Sequence, residues 1–141
     1  MTLERFHLAQ GQGPGSAYAL ALAELRSGCK KSHWIWFVLP QLKSLGRSPM
    51  SQRYGIDGLT EARAYLADPV LRERYEAVTA TITDQLQQPG QTLERLMDGE
   101  LDAAKTISSL TLFAAAGLTS AGALLKQLGR ECPLTRAQLH G

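Results

Sequence analysis

The chain has little of what marks a metal site, a disulfide scaffold or a secreted protein. Its 141 residues include only two cysteines, Cys29 and Cys132, which lie far apart and form no CxxC pair, and three histidines without the spacing of metal ligands. Glu4 beside Arg5 disfavours a secretory signal. We therefore expect a cytoplasmic protein with reduced thiols and with neither a metal nor a cofactor.

Nucleotide-binding fingerprints and long apolar spans are also lacking. Gly11, Gly13 and Gly15 have no strand before them, which argues against a glycine-rich phosphate loop. Residues 106–125 carry no charge and have the length of a membrane-spanning helix. They contain six hydroxyl residues and are interrupted by Gly117 and Gly122, so we predict two buried helices there and no membrane span.

No stretch of the sequence alternates polar and apolar residues with the period of a β-strand, and helix signals are frequent. Ser16, Ser48-Pro49 and Asp68-Pro69 have the form of helix N-caps, and the pattern after Asp68 predicts a helix to residue 86. We predict an all-α protein whose residues 1–141 form one domain of about six to eight helices, several of them short. The other predicted helices are 3–9, 17–27, 49–54, 61–67, 100–116 and 119–128, with one or two turns at 92–97 and a last turn at 133–140.

Acidic residues are absent from residues 25–56, which we call the basic segment. It has six basic side chains and no acidic one, in a chain whose overall net charge is +2, so the other residues together carry −4. Both tryptophans, Trp34 and Trp36, lie in it. Positive charge together with flat rings suits an anionic partner. The six residues are Arg26, Lys30, Lys31, Lys43, Arg47 and Arg53.

The aromatic part of the basic segment carries a resemblance. Residues 31–42, which read KSHWIWFVLPQL, followed by Gly46, Ser48 and 54–56, resemble the main motif of domain-of-unknown-function family 1810. Further similarity covers residues 3 to 115, including a second motif at Asp102, Lys105 and 108–113. Asp68 departs from the family pattern, which often has His before the proline, and residues from 114 onward match poorly. The resemblance implies a compact all-α fold, and thus helix for residues 33–39, but no established activity, substrate or cofactor.

An anion site is predicted where the basic segment turns into its aromatic part. With Ser32 as an N-cap, the free N–H groups of the following helix would lie beside Lys30 and Lys31. We therefore expect a cleft that binds a small phosphate- or nucleotide-like anion, with or without turnover of that ligand. The predicted contact residues are Lys30, Lys31, His33, Trp34, Trp36, Gln41, Arg53 and Lys105.

Each of these residues also has a structural interpretation. The ring of His33 can be satisfied by nearby backbone, and Trp34 and Trp36 point to different sides of a helix, so at least one of them is expected in the core. Lys105 can pair with Asp102 at the surface, and the hydroxyl groups of the second motif can bond back to their own helix. Cys29, next to basic residues, is a weaker candidate for a nucleophile.

Two other functions remain open. The basic and aromatic side chains can serve as a docking patch for a protein partner, because Trp, Tyr and Arg are frequent in binding hot spots. Weak nucleic-acid binding is third, since a net charge of +2 is small and the acidic stretches 61–84 and 94–102 would repel a long polyanion. The oligomeric state does not follow from the sequence.

Overall fold

The computed structural model describes residues 2–140, and these form α-helices joined by short connections. The all-α prediction is confirmed, and the described residues hold ten helices rather than six to eight because single turns add to the number. The helices are α1 Glu4–Gln10, α2 Ala17–Ser27, α3 Ile35–Val38, α4 Pro49–Tyr54, α5 Leu59–Ala67, α6 Pro69–Leu86, α7 Leu93–Leu96, α8 Glu100–Ala115, α9 Thr119–Leu128 and α10 Pro133–His140. Within residues 2–140 the extended structure is limited to one isolated bridge between Leu42 and Ile56.

Side-chain caps begin three of the helices as predicted. Ser16 accepts a hydrogen bond from the N–H of Ala19 at the start of α2, and Ser48 does the same for Ser51 at the start of α4. The Asp68 carboxylate accepts from two N–H groups in the first turn of α6. Each cap satisfies N–H groups that have no partner inside the helix, which is worth about 1 kcal/mol per cap.

Two helix starts differ from the predicted ones. Thr60 lies inside α5, whose N-cap is Gly58 with an extended backbone. Ser32 is not an N-cap either, because α3 begins at Ile35 after Trp34 and is a single turn. Strand-favouring side chains and the nearby Pro40 explain why residues 33–39 form so short a helix.

Aromatic rings form the centre of the core, although the chain has few of them. Tyr65, Tyr75 and Phe113 lie with ring centroids 4.5 to 6.3 Å apart, and Phe6 meets Tyr65 edge to face at 5.1 Å. The Tyr75 hydroxyl, which is buried, shares a hydrogen bond of 2.8 Å with the hydroxyl of Ser109 on α8. These contacts join α1, α5, α6 and α8 around one set of side chains.

The connection from α3 to α5 passes close to itself at Gly55. A Cβ atom at this position would lie 2.4 Å from the Cα of Lys43 and 2.5 Å from the carbonyl oxygen of Ser51, so only glycine fits. The N–H groups of Lys43 and Ile56 complete the local pairing. This close approach gives a physical reason for glycine in the Tyr54-Gly55-Ile56 part of the motif.

The uncharged stretch 106–125 forms parts of two helices, α8 and α9, with the turn at Gly117 between them. Among the described residues no helix is both long enough and apolar enough to span a membrane. Buried side chains in this stretch include Phe113, Leu118 and Leu124. The prediction of two helices is therefore confirmed, but only α8 is largely buried, whereas α9 buries one face through Ala121 and Leu124.

Candidate functional site

A buried carboxylate holds the start of the aromatic part of the basic segment. Glu24, in the last turn of α2, accepts hydrogen bonds from the N–H groups of Lys31 and Ser32 at 2.8 and 2.9 Å. It also accepts from the Ser32 hydroxyl at 2.6 Å and from the Trp34 indole N–H at 2.9 Å. Burial alone would raise the pKa of Glu24, but these hydrogen bonds, led by the Ser32 hydroxyl, outweigh it and lower the pKa to about 2.

This arrangement corrects the predicted anion site at a helix N-terminus. The N–H groups of Lys31 and Ser32 already have an anionic partner, the Glu24 carboxylate. They also lie before α3 rather than at its first turn. A ligand in this region would therefore meet side chains, and not the backbone N–H groups that the sequence pattern indicated.

Lys30 is buried, and three groups hold its side chain. Its ammonium group donates to the carbonyl oxygen of Ser32, lies 2.8 Å from the Asp102 carboxylate, and lies 5.1 Å from the ring centre of Trp34. Its backbone N–H donates to the carbonyl oxygen of Leu96 at 2.7 Å. Both its backbone and its side chain thus tie the basic segment to the region of α7 and α8.

Asp102 lies between two ammonium groups, each of which is close to a tryptophan. Beyond its contact with Lys30, its second carboxylate oxygen lies 3.4 Å from the ammonium nitrogen of Lys105. That nitrogen is 4.1 Å from the ring centre of Trp36. Trp34 is buried in the core, whereas Trp36 is only partly buried. The two tryptophans therefore have different environments, as their angular separation on a helix predicts.

The cleft next to this group has a volume of about 470 Å³. One wall is formed by Lys30, Lys31 and His33, and the other by residues 97–102, which comprise the α7–α8 connection and the first turn of α8. The second wall turns from α7 into α8 through two residues with positive φ, Asp98 at 61° and Gly99 at 133°. Lys31 and His33 are exposed at the rim, and no hydrogen bond or ion pair among residues 2–140 involves either side chain.

The structure brings together only some of the predicted contact residues. Lys30, Lys31 and His33 line the cleft, while Trp34, Trp36 and Lys105 adjoin it through their contacts with Lys30 and Asp102. Gln41 and Arg53 are not part of its lining. Arg53 is exposed at the end of α4, over the ring of Tyr54 at 5.3 Å.

The cleft has mixed charge, which the sequence pattern did not indicate. Asp98, Glu100 and Asp102 face the side that carries Lys30 and Lys31. The basic segment itself contains no acidic residue, but the fold places acidic residues from the start of α8 opposite it. The sequence identified 94–102 as an acidic stretch but did not place Asp98 and Glu100 at the site, because they are distant along the chain from residues 30–33.

Hydroxyl groups of the second motif have structural partners. Ser109 bonds to Tyr75, and Thr111 donates to the carbonyl oxygen of Ile107 one turn earlier. The Ser108 hydroxyl contacts the carbonyl oxygen of Ala104 at 3.1 Å and the sulfur of Cys132 at 3.3 Å. Ser108 and Thr111 thus form hydrogen bonds with carbonyl oxygens of their own helix, as the structural interpretation of this motif predicts.

Two comparisons with known proteins gave a match. A crystal structure titled as the conserved hypothetical protein Rv1873 from Mycobacterium tuberculosis matches with a TM-score of 0.87 and 40% sequence identity. The match covers 99% of this chain and 96% of the other. A search of proteins with curated function gave no match. The family model described as "Protein of unknown function (DUF1810)" matches residues 1–132, and the chain therefore belongs to the DUF1810 family.

Proposed function

We propose that the protein binds a small anionic ligand, of the phosphate or nucleotide kind, in the cleft between residues 30–33 and residues 97–102. The observation that carries this proposal is the buried Lys30 at the base of a cleft that has the exposed Lys31 and His33 at its rim. A volume of about 470 Å³ is within the usual range for small-molecule sites.

Burial of a lysine side chain contributes little to the stability of a fold, because of its desolvation penalty. An ammonium group loses hydration when it is buried, and pairing with one carboxylate recovers only part of that loss. Here Lys30 is 4% exposed, and its partner Asp102 is shared with Lys105. Charged groups kept in such an environment next to a cleft are frequent in binding sites, which supports a functional interpretation.

The two walls of the cleft restrict the class of ligand. A phosphate group would be attracted to Lys31 and His33, whereas Asp98 and Glu100 on the opposite wall would repel it. Carboxylates accept hydrogen bonds from hydroxyl and amino groups, which sugar phosphates and nucleotides carry beside their phosphates. The proposed ligand therefore has an anionic end and a hydrogen-bond-donating end. A polyanion without donor groups, such as inorganic polyphosphate, fits this cleft poorly.

The same geometry ranks the other two functions lower. Trp34 is buried and Trp36 and Phe37 are partly buried, so a docking patch would have little aromatic surface. One observation still favours a protein partner, namely that Leu101 beside the cleft is 79% exposed. The acidic wall of the cleft opposes the approach of long nucleic acids.

The test is a titration with a panel of orthophosphate, sugar phosphates, mononucleotides and dinucleotides. Tryptophan fluorescence and the melting temperature are followed together, because Trp36 adjoins the cleft through Lys105. We expect a saturable fluorescence change accompanied by a raised melting temperature for a sugar phosphate or nucleotide, since such a ligand stabilises the folded state.

Variants then locate the site of any ligand found. Lys31→Ala and His33→Ala should each weaken affinity about tenfold, the value of one charge-assisted hydrogen bond. The matched control is Lys126→Ala, which removes an exposed lysine on α9 outside this cleft. A ligand whose affinity is unchanged in both cleft variants binds elsewhere, and a flat response to the whole panel contradicts the proposal.

A further inference from the structure

Cys132, which the proposed ligand cleft does not include, lies between α8 and the start of α10. Its backbone N–H donates to the Thr111 hydroxyl at 3.0 Å. Its sulfur accepts from the N–H of Thr135 at 3.4 Å, in the first turn of α10, and lies 3.3 Å from the Ser108 hydroxyl. The residue is partly exposed.

A second polar group points to an anionic form of this sulfur. The side chain of Thr135 is fully buried, and its hydroxyl has no regular hydrogen-bond partner within the described residues. Burial alone would raise the pKa of the Cys132 thiol, but the hydroxyl groups of Ser108 and Thr135 and two backbone N–H groups at the start of α10 lower it overall. A buried donor without another partner is costly unless it has a use, and a negatively charged sulfur or a sulfur-bound oxygen would accept from it.

The environment of Ser108 also allows Cys132 to change from the thiol to the thiolate. Its single hydroxyl hydrogen can go to the carbonyl oxygen of Ala104 or to the Cys132 sulfur, but not to both at once. When Cys132 is a thiol, Ser108 can donate to its own helix and accept from the S–H group. When the sulfur is a thiolate, rotation of the Ser108 hydroxyl supplies a further donor without any movement of the backbone.

The other cysteine has the opposite hydrogen-bond pattern. The Cys29 sulfur donates its hydrogen to the carbonyl oxygen of Lys30 at 3.4 Å, a contact that exists only for the neutral thiol. Both cysteines are partly exposed. Cys29, the cysteine that the sequence indicated as a possible nucleophile, therefore has a contact that favours the neutral thiol, whereas Cys132 has hydrogen-bond donors around its sulfur.

We propose that Cys132 is an oxidation site that reacts with small hydroperoxides. The thiolate attacks the outer oxygen of a hydroperoxide, an S–O bond forms and the O–O bond breaks. The sulfur is oxidised by two electrons to a sulfenic acid, and the departing oxygen takes up a proton and leaves as an alcohol, or as water when the oxidant is hydrogen peroxide. The N–H of Thr135 and the hydroxyl of Ser108 lie within hydrogen-bond distance of the sulfur and would donate to the thiolate or to the sulfenate oxygen, and the buried Thr135 hydroxyl is a further donor in the same turn.

The experiment compares the two thiols within one molecule. The full-length reduced protein is treated with hydrogen peroxide at neutral pH in the presence of dimedone, which traps sulfenic acids, and adducts at each cysteine are quantified by peptide mass spectrometry. We expect Cys132 to be labelled at least about fivefold faster than Cys29. Equal labelling, or faster labelling of Cys29, would overturn the proposal, and this comparison needs no substitution.

Two variants test the role of the surrounding donors. Thr135→Val keeps the shape of the side chain and removes a buried hydroxyl that has no regular partner, so the unfolding midpoint should be unchanged or higher while Cys132 labelling slows roughly threefold. Ser108→Ala should slow it similarly. A purely structural role for these hydroxyl groups predicts no change in labelling rate in either variant, and that result would refute the inference. Neither variant changes a residue of the proposed ligand cleft. A negative result for Cys132 oxidation would therefore leave the proposed ligand binding untouched, and the reverse also holds.

Discussion

Replacement of Glu24 by Gln should destabilise the protein, because it removes the negative charge from a buried group that accepts four hydrogen bonds. Glutamine has the size of glutamate, and its carbonyl oxygen can still accept from the N–H groups of Lys31, Ser32 and Trp34. What it loses is the charge, and hydrogen bonds to a charged acceptor are roughly twice as strong as neutral ones. Its amide nitrogen also faces the Ser32 hydroxyl, which must turn from donor to acceptor.

The pKa of Glu24 gives the expected change in the free energy of unfolding. The shift from 4.5 to about 2 corresponds to on the order of 3 kcal/mol in favour of the charged form in the folded state. Because the folded-state pKa is the lower one, this contribution is complete above pH 4.5, decreases as the pH falls between 4.5 and 2, and is lost below about 2. At pH 7 we therefore expect Glu24→Gln to cost about 2 to 3 kcal/mol in the free energy of unfolding.

Urea unfolding of wild type and variant at pH 7 and pH 3 measures the cost of the substitution and its dependence on pH. A cost of this size corresponds to a shift of about 1 to 2 M in the urea midpoint. The difference between the two proteins should fall by about half or more at pH 3, where the unfolded wild type has taken up the proton and the folded one has not. The control is Glu73→Gln, the same change at an exposed position on α6, which should alter the stability by less than about 0.5 kcal/mol. A difference below about 0.5 kcal/mol, the usual limit for surface sites, or a difference that is equal at the two pH values would refute the reasoning.

Three further substitutions test other contacts. Asp102→Asn keeps the side-chain shape but removes the negative charge 2.8 Å from the buried Lys30, and should cost about 2 to 3 kcal/mol in urea unfolding at pH 7; a negligible cost would show that the carbonyl contact of Lys30 is sufficient. Tyr75→Phe removes the buried hydroxyl that bonds to Ser109 and should cost about 1 to 2 kcal/mol, with part of this cost absent when Ser109 is already alanine, as a double-mutant cycle would measure. Asp68→Ala removes the cap of α6 and should lower the stability by about 1 to 2 kcal/mol, whereas Asp68→Asn should retain most of it.

Local sequence signals were sufficient for most of the fold. The cap residues Ser16, Ser48 and Asp68 and the apolar spacing of α6 act within a few residues, so the helices that they start could be predicted closely. Residues 33–39 could not be assigned in this way, because their side chains favour strand while tertiary contacts impose one helical turn. The resemblance to the family supplied that assignment where propensity did not.

The residues of the site could be predicted only in part from the sequence. Lys30, Lys31 and His33 are neighbours in the chain, and they line one cleft. The acidic wall comes from residues 97–102, and contacts between distant segments leave no periodic signal in a single sequence. Glu24 was missed for the same reason: in α2 it has the pattern of an ordinary helical glutamate, and its four hydrogen-bond donors follow only after the chain has turned at Gly28.

The Glu24 contacts also determine how the adjoining loop should exchange its amide hydrogens with solvent. The N–H groups of Lys31 and Ser32 are bonded to a buried carboxylate, and that of Lys30 is bonded to the carbonyl oxygen of Leu96. Three successive amides outside any helix are thus as fully bonded as those within one, and the acceptors belong to two different helices. Amide hydrogens exchange only when such bonds open, so this loop should exchange with the slow core of the protein rather than with its surface connections.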